Sequence, residues 1–417
     1  MKYLFLLSFI MVCVSCSSSA IKPADESAEA LLYVKIESPD FSNLKPLLMS
    51  DFVDSIRYIQ LQTSPKCFLP KEGGFLTLTE KFIFSGYQGE LFKFDKQGNF
   101  IRQIARKGRG PGEFEFLRNN YAIDEVNQKI FVKSRFHDIP LSFDFDGNSL
   151  GFVRDTLFAP CWHVGSGFCA NDGHLIFLSM LVNTKDQELI CKDELYLYDY
   201  EKKEIVQSLP HRMVAEPGRV HRSSALGLGE QFLGKYCGQH FYKSFYNDTL
   251  YAINKGIIQP YAIIDLGSRK YPADLLYSND PYRIRPGSAG KIQIIYMFVH
   301  HQYILFACSK LKDDNRSGAD LFICRYDVPT GTVSYHSRYI VNDLDGGTNI
   351  FVEFLMEGVA AVTYPLFPGE VLRNQEILFS DLNKSDLKYP EEHDKFIQMQ
   401  KRRKENDNPL LMTWHLK

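Results

Sequence analysis

The sequence predicts an all-β fold, a six-bladed β-propeller made of four-stranded antiparallel blades. Between residues 75 and 104, apolar and aromatic residues alternate in short runs separated by Gly, Asn and Asp turns, a pattern typical of an antiparallel meander. The pattern recurs after 49 residues, which relates Phe82, Phe94 and Gly98-Asn99 to Phe131, Phe143 and Gly147-Asn148. A strand meander repeated about every 50 residues is the signature of a propeller blade.

The composition favours strands and excludes one class of partner. The chain contains 32 Phe and 23 Tyr against 9 Met, and aromatic residues are more frequent in strands than in helices. Its formal net charge is −2, so there is no basic field that would attract nucleic acid. We therefore expect no nucleic-acid partner.

The N-terminus predicts a signal peptide over residues 1–15. Lys2 precedes an apolar run at residues 3–14, which is too short to span a bilayer as a helix. Ser15 and Cys16 follow, as in a bacterial lipoprotein signal, in which Cys16 would become the acylated first residue. The alternative is an ordinary secretory peptide. Lipidation would hold the protein at a membrane of the cell envelope, facing the periplasm or the cell surface.

After the signal, residues 16–48 are predicted to be a tether, with one short strand at residues 31–36, and residues 49–417 a single propeller domain. Blades are expected at about residues 75–118, 121–157, 163–210, 225–268 and 292–340, with a sixth beginning near Asn349. The ring would be closed by strands from both termini, residues 54–62 and 410–416, paired with residues 349–366. One short helix is predicted at residues 390–404, acidic where it begins and basic where it ends.

The cysteines predict neither a zinc site nor a redox motif. Of the nine, Cys13 belongs to the signal and Cys16 to the lipid anchor, and the seven others contain no C-x-x-C pair. Cys308 with Cys324, and Cys161 with Cys169, could form disulfides in an oxidising compartment. Small buried thiols are the favoured interpretation for both pairs.

Several short motifs resemble a known family. Their positions are Gly98-Asn99-Phe100, residues 52–61, 94–102, 108–114, 342–347 and 407–411, and the terminal Leu416-Lys417. In this order they resemble NHL-repeat and TolB-like propellers and, more closely, the six-bladed β-propeller lipoproteins of gut Bacteroidota. The resemblance covers nearly the whole chain. It implies a fold and a location in the cell envelope, and it carries no catalytic residue because the family has no assigned activity.

The glycine-rich segment at residues 106–113 provides the first candidate for a ligand-facing surface, formed by Arg106, Arg109 and Glu113. Its glycines and cations suit a phosphate, but the spacing of a P-loop is absent. The favoured alternative is a loop between blades whose glycines permit positive φ.

Asp343 and Asp345 are the second candidate for a ligand-facing surface. They lie in an Asn/Asp/Gly cluster like a calcium loop, yet the downstream Glu of an EF-hand is missing. A turn capped by side chains is the favoured alternative.

No residue is assigned a catalytic, cofactor-binding or metal-binding role, and no cofactor is indicated. His300 and His301, if they lie on a strand, would point to opposite faces and could not chelate one metal together. Six histidines are scattered along the chain, and a propeller can bring such residues together at its axis, although their spacing in sequence does not show that it does: His137, His163, His174, His211, His221 and His240. A G-x-S-x-G elbow for a nucleophilic serine is absent from the sequence.

These observations favour a membrane-anchored module that binds a glycan, a peptide or an envelope protein. Trp162, Tyr87 and Phe136 could stack on sugars, although packing is the more common role of such residues. The alternative is a propeller enzyme of the lyase, lactonase or hydrolase type, with a metal or carboxylates at the ring axis. A third hypothesis is a structural or sensory partner of a transporter or signalling system.

Overall fold

Short antiparallel strand meanders make up most of the folded unit, residues 31–417, in the computed structural model. The described residues are 31–69, 75–87, 90–108, 110, 113–114, 121–132, 140–153, 167–178, 193–210, 231–236, 239–244, 247–272, 287–312, 318–352, 355–356, 359–360, 382–404 and 406–417. The predicted signal peptide and Cys16 lie outside them.

Three strands precede the first meander. They are β1 (Leu32–Lys35), β2 (Leu47–Leu48) and β3 (Val53–Gln60), and single 3-10 turns at Phe41–Asn43 and Met49–Asp51 lie before and after β2. Their partners are strands far along the chain.

The predicted four-stranded antiparallel sheets are confirmed, and their strands are hydrogen-bonded in sequence order. The first sheet contains β4 (Phe75–Leu78), β5 (Phe82–Tyr87), β6 (Glu90–Asp95) and β7 (Phe100–Lys107), with β8 (Glu113–Phe114) parallel to β7. The second contains β9 (Tyr121–Asp124), β10 (Lys129–Val132), β11 (Leu141–Asp144) and β12 (Ser149–Phe152). The third contains β13 (Gly167–Asn171), β14 (His174–Leu178), β15 (Asp193–Asp199) and β16 (Glu204–Pro210).

Two further meanders follow. The fourth sheet contains β17 (Gln231–Tyr236), β18 (Gln239–Ser244), β19 (Thr249–Asn254) and β20 (Ile257–Asp265). A 3-10 turn at Gly267–Arg269 comes after it. The fifth sheet contains β21 (Ile292–Val299), β22 (Tyr303–Leu311), β23 (Ala319–Asp327) and β24 (Thr332–Ser337).

The last elements complete a sheet from both ends of the chain. They are β25 (Ile340–Val341), β26 (Leu355–Met356), β27 (Val359–Ala360), a 3-10 turn at Lys384–Asp386, the helix α1 (Pro390–Arg402) and β28 (Leu410–Leu416). The sixth sheet has the order β26-β27-β28-β3. The predictions of a C-terminal helix and of paired N- and C-terminal strands are therefore confirmed.

The tether expected at residues 16–48 does not extend as far as residue 48, because β1 and β2 belong to the folded unit. β1 pairs in parallel with β20, and β2 pairs in parallel with β25. The reason is apolar burial: Val34 and Leu47 are completely buried. The predicted boundary at residue 49 therefore lies within ordered structure, as the predicted short strand at residues 31–36 already suggested.

The repeat is visible in individual hydrogen bonds of the turns. The Asp95 carboxylate accepts the backbone N–H of Asn99 at 2.8 Å and its side-chain N–H at 2.8 Å. In the second sheet, Asp144 accepts the same two groups of Asn148 at 2.8 and 2.7 Å. Aspartate side chains that bind their own turn in this way fix the hairpin between the third and fourth strands.

Each hydrophobic cluster packs two sheets against each other. Four clusters pack the first sheet against the second, the second against the third, the third against the fourth and the fourth against the fifth. A fifth cluster packs the fifth sheet against the sixth, and another packs the sixth against the first. The strands β17 and β21, which begin neighbouring sheets, also lie side by side.

Within the described residues, no helix is both long and apolar enough to cross a membrane.

Candidate functional site

Arg106 and Glu113 lie opposite each other on the parallel strands β7 and β8. The Glu113 carboxylate is directed into its own loop, where Oε2 accepts the backbone N–H of Gly110 at 2.9 Å. A Cβ at position 108 would lie 1.9 Å from the same oxygen, so a larger residue there would displace the Glu113 carboxylate. Glu113 thus stabilises the loop, Arg106 is exposed, and Arg109 lies outside the described residues.

Asp343 and Asp345 also stabilise local structure. Asp345 is 2% exposed, and its Oδ1 accepts Asn342 Nδ2 at 2.6 Å and the Gly347 N–H at 2.9 Å. Asp343 accepts the Ser50 N–H at 2.8 Å and so attaches the N-terminal segment to this loop. Burial, together with the nearby Asp345 carboxylate, holds the pKa of Tyr58 well above its usual range. The hydrogen bonds of Asp343 and Asp345 are those of a turn capped by side chains, which was the favoured alternative to a calcium loop.

His300 and His301 do not lie on a strand, so the expectation that they point to opposite faces of one does not apply. β21 ends at Val299, and both histidines lie in the turn before β22 with ring centroids 4.1 Å apart. Burial, helped by His301, lowers the pKa of His300 to about 4. The hydroxyl of Tyr236 lies 3.0 Å from His301 Nδ1, which links this turn to the end of β17.

Metal-ligand clusters and disulfides are both absent from the described residues. No group of three His, Cys, Asp or Glu side chains placed to hold a metal occurs among the described residues. Cys67, Cys169, Cys308 and Cys324 are free thiols. His137, His163, His211, His221, Cys161, Trp162, Phe136 and the side chain of Tyr87 lie outside the description.

A cavity of about 220 Å³ lies where β17 and β21 begin and β18 ends. Its apolar walls come mainly from Phe232, Leu266, Ile292, Ile294, Tyr296 and Met297. Its polar lining comes from Lys243, Ser244, Lys270, Tyr271 and Gln293. Cavities with apolar walls and a few convergent polar groups are the usual form of small-molecule sites.

Lys243 is the unusual member of this lining. It is 8% exposed, and its Nζ donates to the Ser244 carbonyl at 3.1 Å. Burial lowers its pKa to about 8; the Asp248 carboxylate partly opposes this shift and Lys270 adds to it. A perturbed ionisable group in a cavity is a functional-site candidate on physical grounds.

The second lysine of the cavity has a counter-ion. Lys270 Nζ lies 2.7 Å from Asp248 Oδ1, with both side chains about two-fifths exposed. The charge of Lys270 is therefore compensated at the cavity edge, whereas the ammonium group of Lys243 contacts a neutral carbonyl.

Lys243 was not among the residues predicted from the sequence, although a signal was present. Side chains two positions apart on a strand share a face, so Lys243 lies on the same face of β18 as buried Phe241. A charge on an otherwise apolar strand face could have been noted. The cavity itself could not have been predicted from the sequence, because part of its lining, including Gln293, comes from another sheet.

Comparison with known proteins identifies a fold and a family. A Bacteroides fragilis protein assigned as exported, solved by crystallography, matches with a TM-score of 0.58 and 16% identity, covering 93% of this chain and 99% of that chain. At this identity the match shows a shared fold alone. No curated protein matches the sequence.

Two more distant structures are similar over part of the chain. One is a member of the DUF4221 family from Bacteroides vulgatus, with a TM-score of 0.45, 10% identity and coverage of 88% of this chain and 97% of that chain. The other is the virginiamycin B lyase of Staphylococcus aureus, with a TM-score of 0.33, 9% identity and coverage of 68% and 88%. Neither is near enough to bear on function. The family match runs over residues 33–415, and the chain belongs to the family described as Domain of unknown function (DUF4934).

Proposed function

We propose that this protein is a lipid-anchored β-propeller of the cell envelope that binds a small ligand. The observation that carries the binding role is the cavity between β17 and β21, with its apolar walls and its buried Lys243 and Gln293. A glycan, a peptide or the exposed part of an envelope protein could supply a group that enters it.

In this proposal the six sheets are the blades of one closed ring. The support is that each sheet packs on the one before it and the one after it, and that the sixth packs on both the fifth and the first. The neighbouring strands β17 and β21 would then be inner strands of adjacent blades, and the cavity would open near the ring axis.

The anchor is proposed from Cys16 and the signal-like residues 1–15. In a bacterial host supplied with an alkyne fatty acid, we expect the full chain to become labelled and to fractionate with membranes. C16S should lose the label and leave the membrane fraction, because the thiol is the acylation site. A labelled C16S protein would contradict the anchor while leaving the binding role untouched.

The binding role is tested by blocking the cavity. Ile295 lines the cavity and is 37% exposed, so I295W should cover the entrance without disturbing the core. We expect thermal-shift screening of residues 31–417 against sugars, sugar acids and acetylated amino acids to find a compound that raises Tm, and I295W to abolish the shift.

The matched control is I257W, a tryptophan at a 57% exposed position on β20 that does not line the cavity. It should keep the full shift. If no compound stabilises the protein, or if I295W responds like I257W, the cavity is not the ligand site and the proposal fails.

A further inference from the structure

We propose that the cavity binds the carboxylate of a small organic acid and that the Lys243 ammonium group is its counter-ion. This inference rests on the proposed function and adds the chemical class of the ligand. It comes from three observations: the isolation of the Lys243 charge, the balance of charge around the cavity and the contrast with a second buried lysine.

The first observation is the isolation of the Lys243 charge. Its Nζ donates to the Ser244 carbonyl, and in the part of the chain that the structure describes no carboxylate forms an ion pair with it. A buried ammonium group without a counter-ion is costly, and an anion that enters the cavity would remove that cost. The site is thus complementary to a negative group.

The second observation is the charge balance. Both charged residues that line the cavity are lysines, and Lys270 is already paired with Asp248. The other titratable groups near Lys243 are Glu194 and Cys308, whose electrostatic effects on it are smaller than that of Asp248. Because its pKa is about 8, Lys243 is mostly protonated at pH 7 and can pair with a carboxylate.

The third observation is the contrast with Lys93, a buried lysine on β6. Lys93 Nζ donates to the Phe145 carbonyl at 2.9 Å and lies 3.8 Å from the centroid of the Phe82 ring. Aromatic rings therefore cover that ammonium group and stabilise it by a cation–π contact. Lys93 has a structural explanation, whereas Lys243 lines a cavity.

The size of the cavity limits the ligand. A volume of about 220 Å³ lies below the range of roughly 300–1,000 Å³ that holds drug-sized molecules. A single sugar acid or one acetylated amino acid, or the end of a longer chain, is of suitable size. Ser244 and Gln293 would offer hydrogen bonds to its hydroxyl or amide groups.

The test compares acids with neutral counterparts of nearly the same shape. Titration calorimetry on residues 31–417 at pH 7 would use galacturonate against galactose, and N-acetylglutamate against N-acetylglutamine, which separates a sugar from a peptide source. We expect one acid to bind at least about tenfold more tightly than its counterpart, as a charge-assisted bond predicts. K243M should lose that preference, and K93M should keep it.

The pH profile gives a second readout that needs no variant. As pH rises through about 8, Lys243 loses its proton, so the affinity of the wild-type protein for the acid should fall towards tenfold per pH unit. If K243M does not fold, this profile decides: affinity that is flat from pH 7 to 10 would overturn the proposal.

The remaining outcomes separate the two proposals. A neutral compound that binds as tightly as its acid, and that I295W blocks, would overturn the charge pairing and leave the binding function standing. Absence of any binding that I295W blocks would remove the binding function as well. If an acid binds the K243M variant as tightly as it binds the wild type, the role of Lys243 is refuted and the binding function still stands.

Discussion

Gly98 shows how one residue position depends on a strand from the other end of the domain. It lies in the Asp95 turn at φ +88°, and a Cβ there would lie 2.3 Å from the backbone oxygen of Gln60 on β3. The Gly98 carbonyl accepts the N–H of Gln62 at 2.8 Å. The turn of the first sheet is therefore in direct contact with the end of the N-terminal strand of the sixth sheet.

We expect G98A to destabilise the protein by about 2–4 kcal/mol, because it adds a clash with the backbone to the strain of positive φ. Gly173 provides the control, since it has φ +85° with open space around its Cβ position. G173A should cost only about 1 kcal/mol. Urea unfolding measures both variants; equal losses would show that the contact with Gln60 contributes nothing.

The helix α1 and the segment after it show how an element is held in place. Pro390 begins the helix, Glu391 and Glu392 lie in its first turn and Lys401 and Arg402 in its last, as the macrodipole favours. The ring of Phe396 packs on Tyr58 of β3 at 4.6 Å between centroids. The helix therefore covers the sixth sheet and delivers the chain to β28.

Asn408, completely buried, connects α1, β28 and the segment after β3. Its side chain donates to the carbonyls of Gln62 and Cys67 at 2.7 and 2.6 Å and accepts the Leu69 N–H at 2.8 Å. N408A would remove one hydrogen bond from each of three backbone groups, and we expect a loss of about 2–4 kcal/mol in the free energy of unfolding.

Asn406, two residues earlier and exposed, provides the matched control. N406A should change the free energy of unfolding by less than about 0.5 kcal/mol. Equal midpoints for N408A and N406A in urea would mean that this hydrogen-bond network does not stabilise the C-terminal strand.

At the scale of the whole folded unit, β28 contributes to two cores at once. Leu410, Met412 and Trp414 pack with the fifth sheet, whereas Leu411 packs with the first. Because successive side chains of a strand point to opposite faces, one strand can fill both interfaces. The pairing with β3 also covers one edge of β28, which could otherwise promote aggregation.

Local sequence determined much of this fold. The strands, the turns built on Asp95 and Asp144 and the helix follow from patterns within a few residues or from one repeat. Such features depend on backbone preferences and on the alternation of side chains, which neighbours in sequence are sufficient to specify.

The site was decided by tertiary structure alone. Glu113 binds its own loop, His300 and His301 lie in a turn, and the cavity needs β17, β18 and β21 together. Lys93 and Lys243 make the reason plain, since both are lysines on buried, aromatic-rich strands. Rings from other strands cover Lys93, whereas Lys243 faces a cavity, and that difference depends on side chains distant in sequence.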